Sequence, residues 1–239
     1  MICYEDIPDL ISGPKPNGGD QDSIYYQWEY DPGPTGVFVN YPPGDANDQF
    51  ITPPSLQGTT IYRRVVTSGT NREDQNVCSD TSNMVKVIVL SLIGNNLINS
   101  ENQIVCQGLD AELITAEQVT GGDFSYSYWW EASSDSSGLP WRAIPGGTDP
   151  FYNPGLMDTT TTWFRRTVGS GGSNDSVCMD HSAALRVRVI DSIAGNTIST
   201  DDSIMCQFDN EPMISGGALS GGGPLDAGGT FDYLWEKKS

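Results

Sequence analysis

The sequence predicts an all-β chain of tandem immunoglobulin-like β-sandwich modules, each with one intramodular disulfide. Three observations predict it. The chain repeats itself about every hundred residues, since Trp28 recurs as Trp130 and Trp235, Cys3 as Cys106 and Cys206, and Cys78 as Cys178. Short runs with period-two alternation are separated by turn residues, drawn from 27 Gly and 15 Pro. Each full repeat holds one central Trp and one widely spaced cysteine pair, the inventory of a small stapled sandwich. The register gives a first repeat over 1–91 that lacks its first strand, a second over 92–191, and the N-terminal half of a third over 192–239.

The elements follow in order along the second repeat. Ile93-Gly94-Asn95-Asn96-Leu97-Ile98 returns as Ile193-Ala194-Gly195-Asn196-Thr197-Ile198, a Gly-Asn turn feeding a first strand and marking each junction. Ile104-Val105-Cys106 leads through Ala111 to Ile114 and the Gly121-Gly122 turn. An aromatic strand then runs from Phe124 to Glu131, with Phe124, Tyr126, Tyr128 and Trp130 on one face and Trp129 on the other. Its Tyr-x-Trp-Glu ending recurs at Tyr26–Glu29 and Tyr233–Glu236. Tyr152-Asn153-Pro154-Gly155-Leu156 precedes the strand Trp163 to Val168, matched by Ile61 to Val66, and Leu185 to Ile190 closes the repeat as Met84 to Val89 closes the first. Trp28, Trp130 and Trp235 are expected between the sheets. Arg63-Arg64 and Arg165-Arg166 stand out in a cation-poor chain, so one of each pair is expected to bridge a cross-strand carboxylate such as Glu29 or Glu131.

Composition narrows the function. A net charge of −19 repels nucleic-acid phosphates and anionic membranes, so neither partner is expected. No apolar run reaches the roughly 18 residues that span a bilayer, and the first residues lack the basic-then-apolar pattern of a leader. Assigning cysteines to repeats pairs Cys3 with Cys78 and Cys106 with Cys178, loops of about 75 residues that each contribute roughly 4 kcal/mol in the chain-entropy model, and gives Cys206 a partner outside the chain. Such bonds place the protein outside a reducing cytosol. Metal ligation by these thiols is disfavoured: no Cys-x-x-Cys occurs, and the single histidine, His181, is Thr81 in the first repeat.

That lone histidine also argues against a hydrolytic triad, so no enzyme and no catalytic residue is expected. Calcium is the one cofactor the composition admits, at junction carboxylates Asp80, Asp180, Glu101, Asp201 and Asp202, although no Asp-x-Asp-x-Asp-Gly loop is present. Trp129 with Tyr126 or Trp141 is the candidate stacking surface for sugar rings; the plainer use of these rings is packing.

The Gly-Asn-x-Ile junction, Ile104-x-Cys106-x-Gly108, Tyr-x-Trp-Glu, Tyr152-x-Pro154-Gly155-Leu156, the Thr-Thr-x-Tyr-Arg-Arg strand and the late Val-Cys together resemble the Ig-like repeats of giant secreted surface adhesins of Bacteroidota, including gliding-motility adhesins. The resemblance covers nearly the whole chain. It departs at Asp31 to Asn47 and in the glycine-rich Gly216 to Gly229. It implies type IX secretion, an extracellular bacterial cell-surface location, a stalk or filament segment of a large adhesin, and O-glycosylation at Asp-Ser/Thr sites, here Ser23, Thr159, Ser176, Ser192 and Ser203. Expected partners are neighbouring modules of the same long chain, surface polysaccharide, or other copies in a filament. The alternatives are a carbohydrate-binding or spacer array of a secreted polysaccharide-processing enzyme, and a subunit of a self-assembling extracellular filament.

Overall fold

The central strands of each repeat are rich in β-branched and aromatic residues that alternate between core and solvent, and they pair as long antiparallel partners. The computed structural model describes residues 1–42, 48–69, 78–135, 139–158, 161–172, 176–201, 203–204, 206–207, 212–223 and 231–237. All regular elements among them are strands, and no helix is long and apolar enough to cross a membrane. The expected fold class, tandem immunoglobulin-like β-sandwiches, is the one observed.

The chain forms two compact units that interleave along the sequence: Met1–Leu97 with Glu117–Tyr128 and Thr167–His181, and Ile98–Ala116 with Trp129–Arg166 and Ser182–Ser239. In the first unit, Ile24–Asp31 pairs antiparallel with Thr60–Ser68 from Ile24↔Ser68 to Asp31↔Ile61. Cys78–Thr81 and Val85–Val87 share the other edge of Thr60–Ser68, at its two ends. Ile2–Cys3 runs parallel to Val89–Gly94, with Cys3 opposite Leu90. Thr120–Gly122 pairs with the far end of Val89–Gly94. One core gathers Ile11, Trp28, Ile51, Leu56 and Tyr62; a second gathers Cys3, Leu90, Ile93, Val119, Val168 and Cys178.

The second unit repeats the plan. Gln103–Cys106 runs parallel to Leu185–Ile190, with Cys106 opposite Ile190, the register that Cys3 has with Leu90. Its core joins Trp130 with Val105, Ile114, Phe164, Leu185 and Val187.

Two expectations about side chains are met and one is corrected. Trp28 and Trp130 are buried, each indole N–H donating to a backbone carbonyl, of Asp48 and Asp149 respectively, at 2.9 Å. The paired arginines divide their work by strand alternation. Arg63 and Arg165 meet Glu29 and Glu131 at 2.6 and 2.7 Å, stacked on Phe38 and Trp141, whereas Arg64 and Arg166 turn inward and donate to backbone carbonyls, including those of Pro14 and Pro150. Trp235 is not a core residue here but 59% exposed. Among the described residues of 192–239 the strands are Ile198–Thr200 and Ile214–Gly216, and none is equivalent to Thr60–Ser68 or Thr162–Ser170.

Candidate functional site: a disulfide-closed repeat junction

The site that the fold singles out is where the first sequence repeat runs into the second. Val89–Gly94 leaves the first repeat as the central strand of a three-stranded sheet, between Ile2–Cys3 of its own repeat and Thr120–Gly122 of the next, so the last strand of one repeat is shared with the next. Gly121, at φ +81°, makes this approach possible, because a Cβ there would lie 2.0 Å from the Leu92 carbonyl oxygen. Asp123 closes the turn. It accepts from the Ser170 hydroxyl at 2.6 Å and from the Ser125 N–H at 3.0 Å, and the Ser170 bond, ahead of the backbone one, holds its carboxyl below the usual aspartate range. Tyr126 packs beneath this turn and donates its hydroxyl to the Gly121 carbonyl at 2.8 Å; burial, with Tyr128 and Asp123 nearby, raises its phenol above the usual value.

The junction is closed covalently by a bond between Cys3 and Cys178, with Cα atoms 5.1 Å apart and 175 residues between them in sequence. This corrects the expected pairing. Cys3 is bonded neither to Cys78 nor Cys106 to Cys178; Cys78 and Cys106 are exposed free thiols. The reason lies in the register. Cys78 is opposite Ser68 and Val87 is opposite Thr60, while Cys3 is opposite Leu90, so the early and late cysteines of the first repeat sit at opposite ends of a nine-residue strand. At about 3.3 Å per residue that is roughly 26 Å, far beyond the roughly 7 Å limit between bridged Cα atoms. The early cysteine instead lies where its repeat hands over to the next, within reach of the next repeat's late cysteine. Cys178 is 1% exposed, beside Leu90, Ile93, Val119 and Val168. Closing so long a loop stabilises by about 5 kcal/mol in the chain-entropy model.

A second feature was not anticipated from sequence. In the first repeat Tyr30, Tyr41 and Tyr62, with ring centroids 5.8 to 6.4 Å apart, line an open cavity of about 310 Å³ together with Pro32, Pro42 and Pro54. Desolvation, followed by the neighbouring phenols of Tyr41 and Tyr30, pushes the Tyr62 pKa up to about 12. In the second repeat Tyr152 packs against both Trp130 and Phe164 at 5.5 Å, and its strand counterpart in the first repeat is the smaller Ile51. Asp31, beside Pro32, is buried. Desolvation alone would raise its carboxyl, but N–H groups of Gly36, Gly33 and Thr35 and the Thr35 hydroxyl outweigh it and keep it below the usual range.

The other sequence candidates are dispersed. Tyr126 and Trp129 project from opposite faces of Tyr126–Ser133, so those two do not form one stacking surface, whereas Trp141 is stacked at 4.5 Å on Arg165, the partner of Glu131 on the face of Trp129. Among the described residues no group of three or more His, Cys, Asp or Glu side chains is placed to hold a metal ion. Asp80 accepts from the Thr81 N–H and Asp201 from the Met213 N–H; Asp180 is half-buried, Glu101 is exposed, and Asp202 lies outside the described residues. His181 meets the hydroxyl of Thr167, its cross-strand neighbour, at 2.8 Å. Ser192 and Ser203 are exposed, Ser23 and Ser176 half-buried, and Thr159 is outside the described residues.

Residues 95–190, which fall within the second repeat, match a family described as a domain of unknown function, DUF8696. No curated protein matches the chain. Among solved structures it is similar to a marsupial T cell receptor, at 12% identity and TM-score 0.50, over 84% of this chain and 74% of that one. A likeness to mouse cadherin-23 EC22-24 has a TM-score of 0.28 at 13% identity, over 80% of this chain and 62% of that one. The first likeness concerns the immunoglobulin-like fold.

Proposed function

We propose that this chain is a structural segment of a large extracellular bacterial surface adhesin, a shaft of Ig-like repeats that holds an attachment site away from the cell. The observation that carries the reading is the Cys3–Cys178 bond, which ties one repeat to the next. A chain pulled from its ends transmits tension through that bond and leaves the enclosed residues folded. Disulfides of this kind persist outside the reducing cytosol, and the −19 charge discourages lateral clumping of neighbouring shafts.

Single-molecule extension of the 239-residue chain tests the mechanical part. With the bond intact, extension ends before the enclosed segment unravels; after reduction the contour length grows by about 600 Å, at about 3.5 Å per released residue. Equal lengths under both conditions overturn the reading. Its extracellular part is tested by labelling intact cells of the source organism with a membrane-impermeant amine reagent, and failure to label the protein counts against a surface location.

A further inference from the structure

The second sequence junction is built like the first. Ala194 bridges Ser220 as Gly94 pairs with Thr120, and Gly222 donates to the Asp191 carbonyl. Gly221 has φ +81°, and a Cβ on it would lie 2.0 Å from the Ser192 carbonyl oxygen, the geometry of Gly121 against Leu92. Ile198–Thr200 pairs with Ile214–Gly216 as Ile98 bridges Ala116. Cys106 occupies the position of Cys3, opposite Ile190 where Cys3 is opposite Leu90.

What differs is the cover. At the first junction Ile93 is 9% exposed, clustered with Cys3 and with Val168 and Cys178 of the following repeat; its counterpart Ile193 is 58% exposed, and Cys106, the counterpart of Cys3, is an exposed free thiol. The same apolar half-site is therefore present twice, once covered by a late Val-Cys strand and once open. Cys78, the counterpart of Cys178, is likewise exposed and free.

We propose that Cys106 is the open end of a disulfide relay, in which the early cysteine of each repeat is bonded to the late cysteine of the next, and that its occupant is the late Val-Cys strand of a completed third repeat. Cys78 offers the complementary bond to the early cysteine of a repeat arriving on its side. The step is thiol–disulfide exchange: two thiols and one disulfide oxidant give the inter-repeat S–S bond and two oxidant thiols, so two electrons and two protons pass to the oxidant. The result is a shaft in which every junction is cross-linked, while no repeat carries a bond of its own.

This rests on the array reading above, and the experiment separates the two. Native protein from the source organism, alkylated without reduction, is digested and its linked peptides are sequenced. The relay requires the Cys106 peptide linked to a late-cysteine peptide from outside residues 1–239, alongside Cys3–Cys178. Cys106 alkylated as a free thiol, or linked to Cys78 or Cys206, with Cys3–Cys178 present, overturns the relay and leaves the array. Loss of Cys3–Cys178 as well overturns both. A Cys106→Ser variant of the native protein guards against a missed peptide: the relay requires one newly alkylated late cysteine outside residues 1–239, and no new free thiol overturns it.

Discussion

The second repeat and the stretch from Ile193 onward share a backbone plan at their entry and differ in almost everything that stabilises it. Trp130 is buried under Phe164 and Tyr152, while Trp235 stands 59% exposed. Gly121 is followed by Asp123, which ties its turn to Ser170, whereas Gly221 is followed by Gly223, and no Asp–Ser tie forms at that position. The lesson is that the Gly-Asn junction and its edge strand form from local sequence, whereas burial comes from strands contributed about fifty residues later. An entry is a template, and the second half of the same repeat makes it a core.

The largest test of this contrast is truncation of the two tryptophans. Trp130→Ala is expected to destabilise by about 3–5 kcal/mol and Trp235→Ala by less than about 0.5 kcal/mol, read as the urea midpoint of each variant. A large loss at Trp235 would mean that the third repeat is packed in solution. Next, Cys178→Ser should cost about 2–5 kcal/mol, because it frees the longest loop in the chain, and Cys106→Ser in the 239-residue chain close to nothing. Comparable losses would erase the difference between the junctions.

Gly121→Ala is expected to cost more than about 1 kcal/mol, since the new methyl meets a carbonyl in a left-handed backbone; melting temperature reads it, and Gly221→Ala should move it less because less structure depends on that turn. The smallest effect is on acid stability. The Ser170 and Ser125 bonds lower the folded pKa of Asp123, so their contribution is complete above the ordinary aspartate value of about 3.9 and is lost as pH falls through the lower folded value. The drop in urea midpoint between pH 5 and pH 2.5 should therefore shrink in Asp123→Asn. An unchanged drop would place the acid sensitivity elsewhere, Asp31 being the next carboxyl to replace.

Much of this architecture is legible in the residues. Period-two alternation and the repeated Tyr-x-Trp-Glu place the central strands and the buried Trp28 and Trp130, and adjacent arginines on a strand must point to opposite faces, so one finds Glu29 or Glu131 and the other the interior. The tyrosine cavity was not legible. Its signal, Ile51 standing where the second repeat has Tyr152, becomes meaningful only once both are known to project into the same layer. Cysteine connectivity was not legible either, because sequence distance within a repeat says nothing about which end of a sandwich each cysteine occupies.

By itself the sequence determined the repeat period, the all-β class, the strand faces and the junction turns, since these depend on side-chain alternation and on glycines a few residues away. The tertiary structure alone decided that the cysteines bond across repeats rather than within them. Strand register puts Cys78 at one end of Thr60–Ser68 and Cys3 in a different sheet beyond its other end, and brings Cys178 within 5.1 Å, Cα to Cα, of Cys3. A disulfide is selected by that distance and not by membership of a repeat.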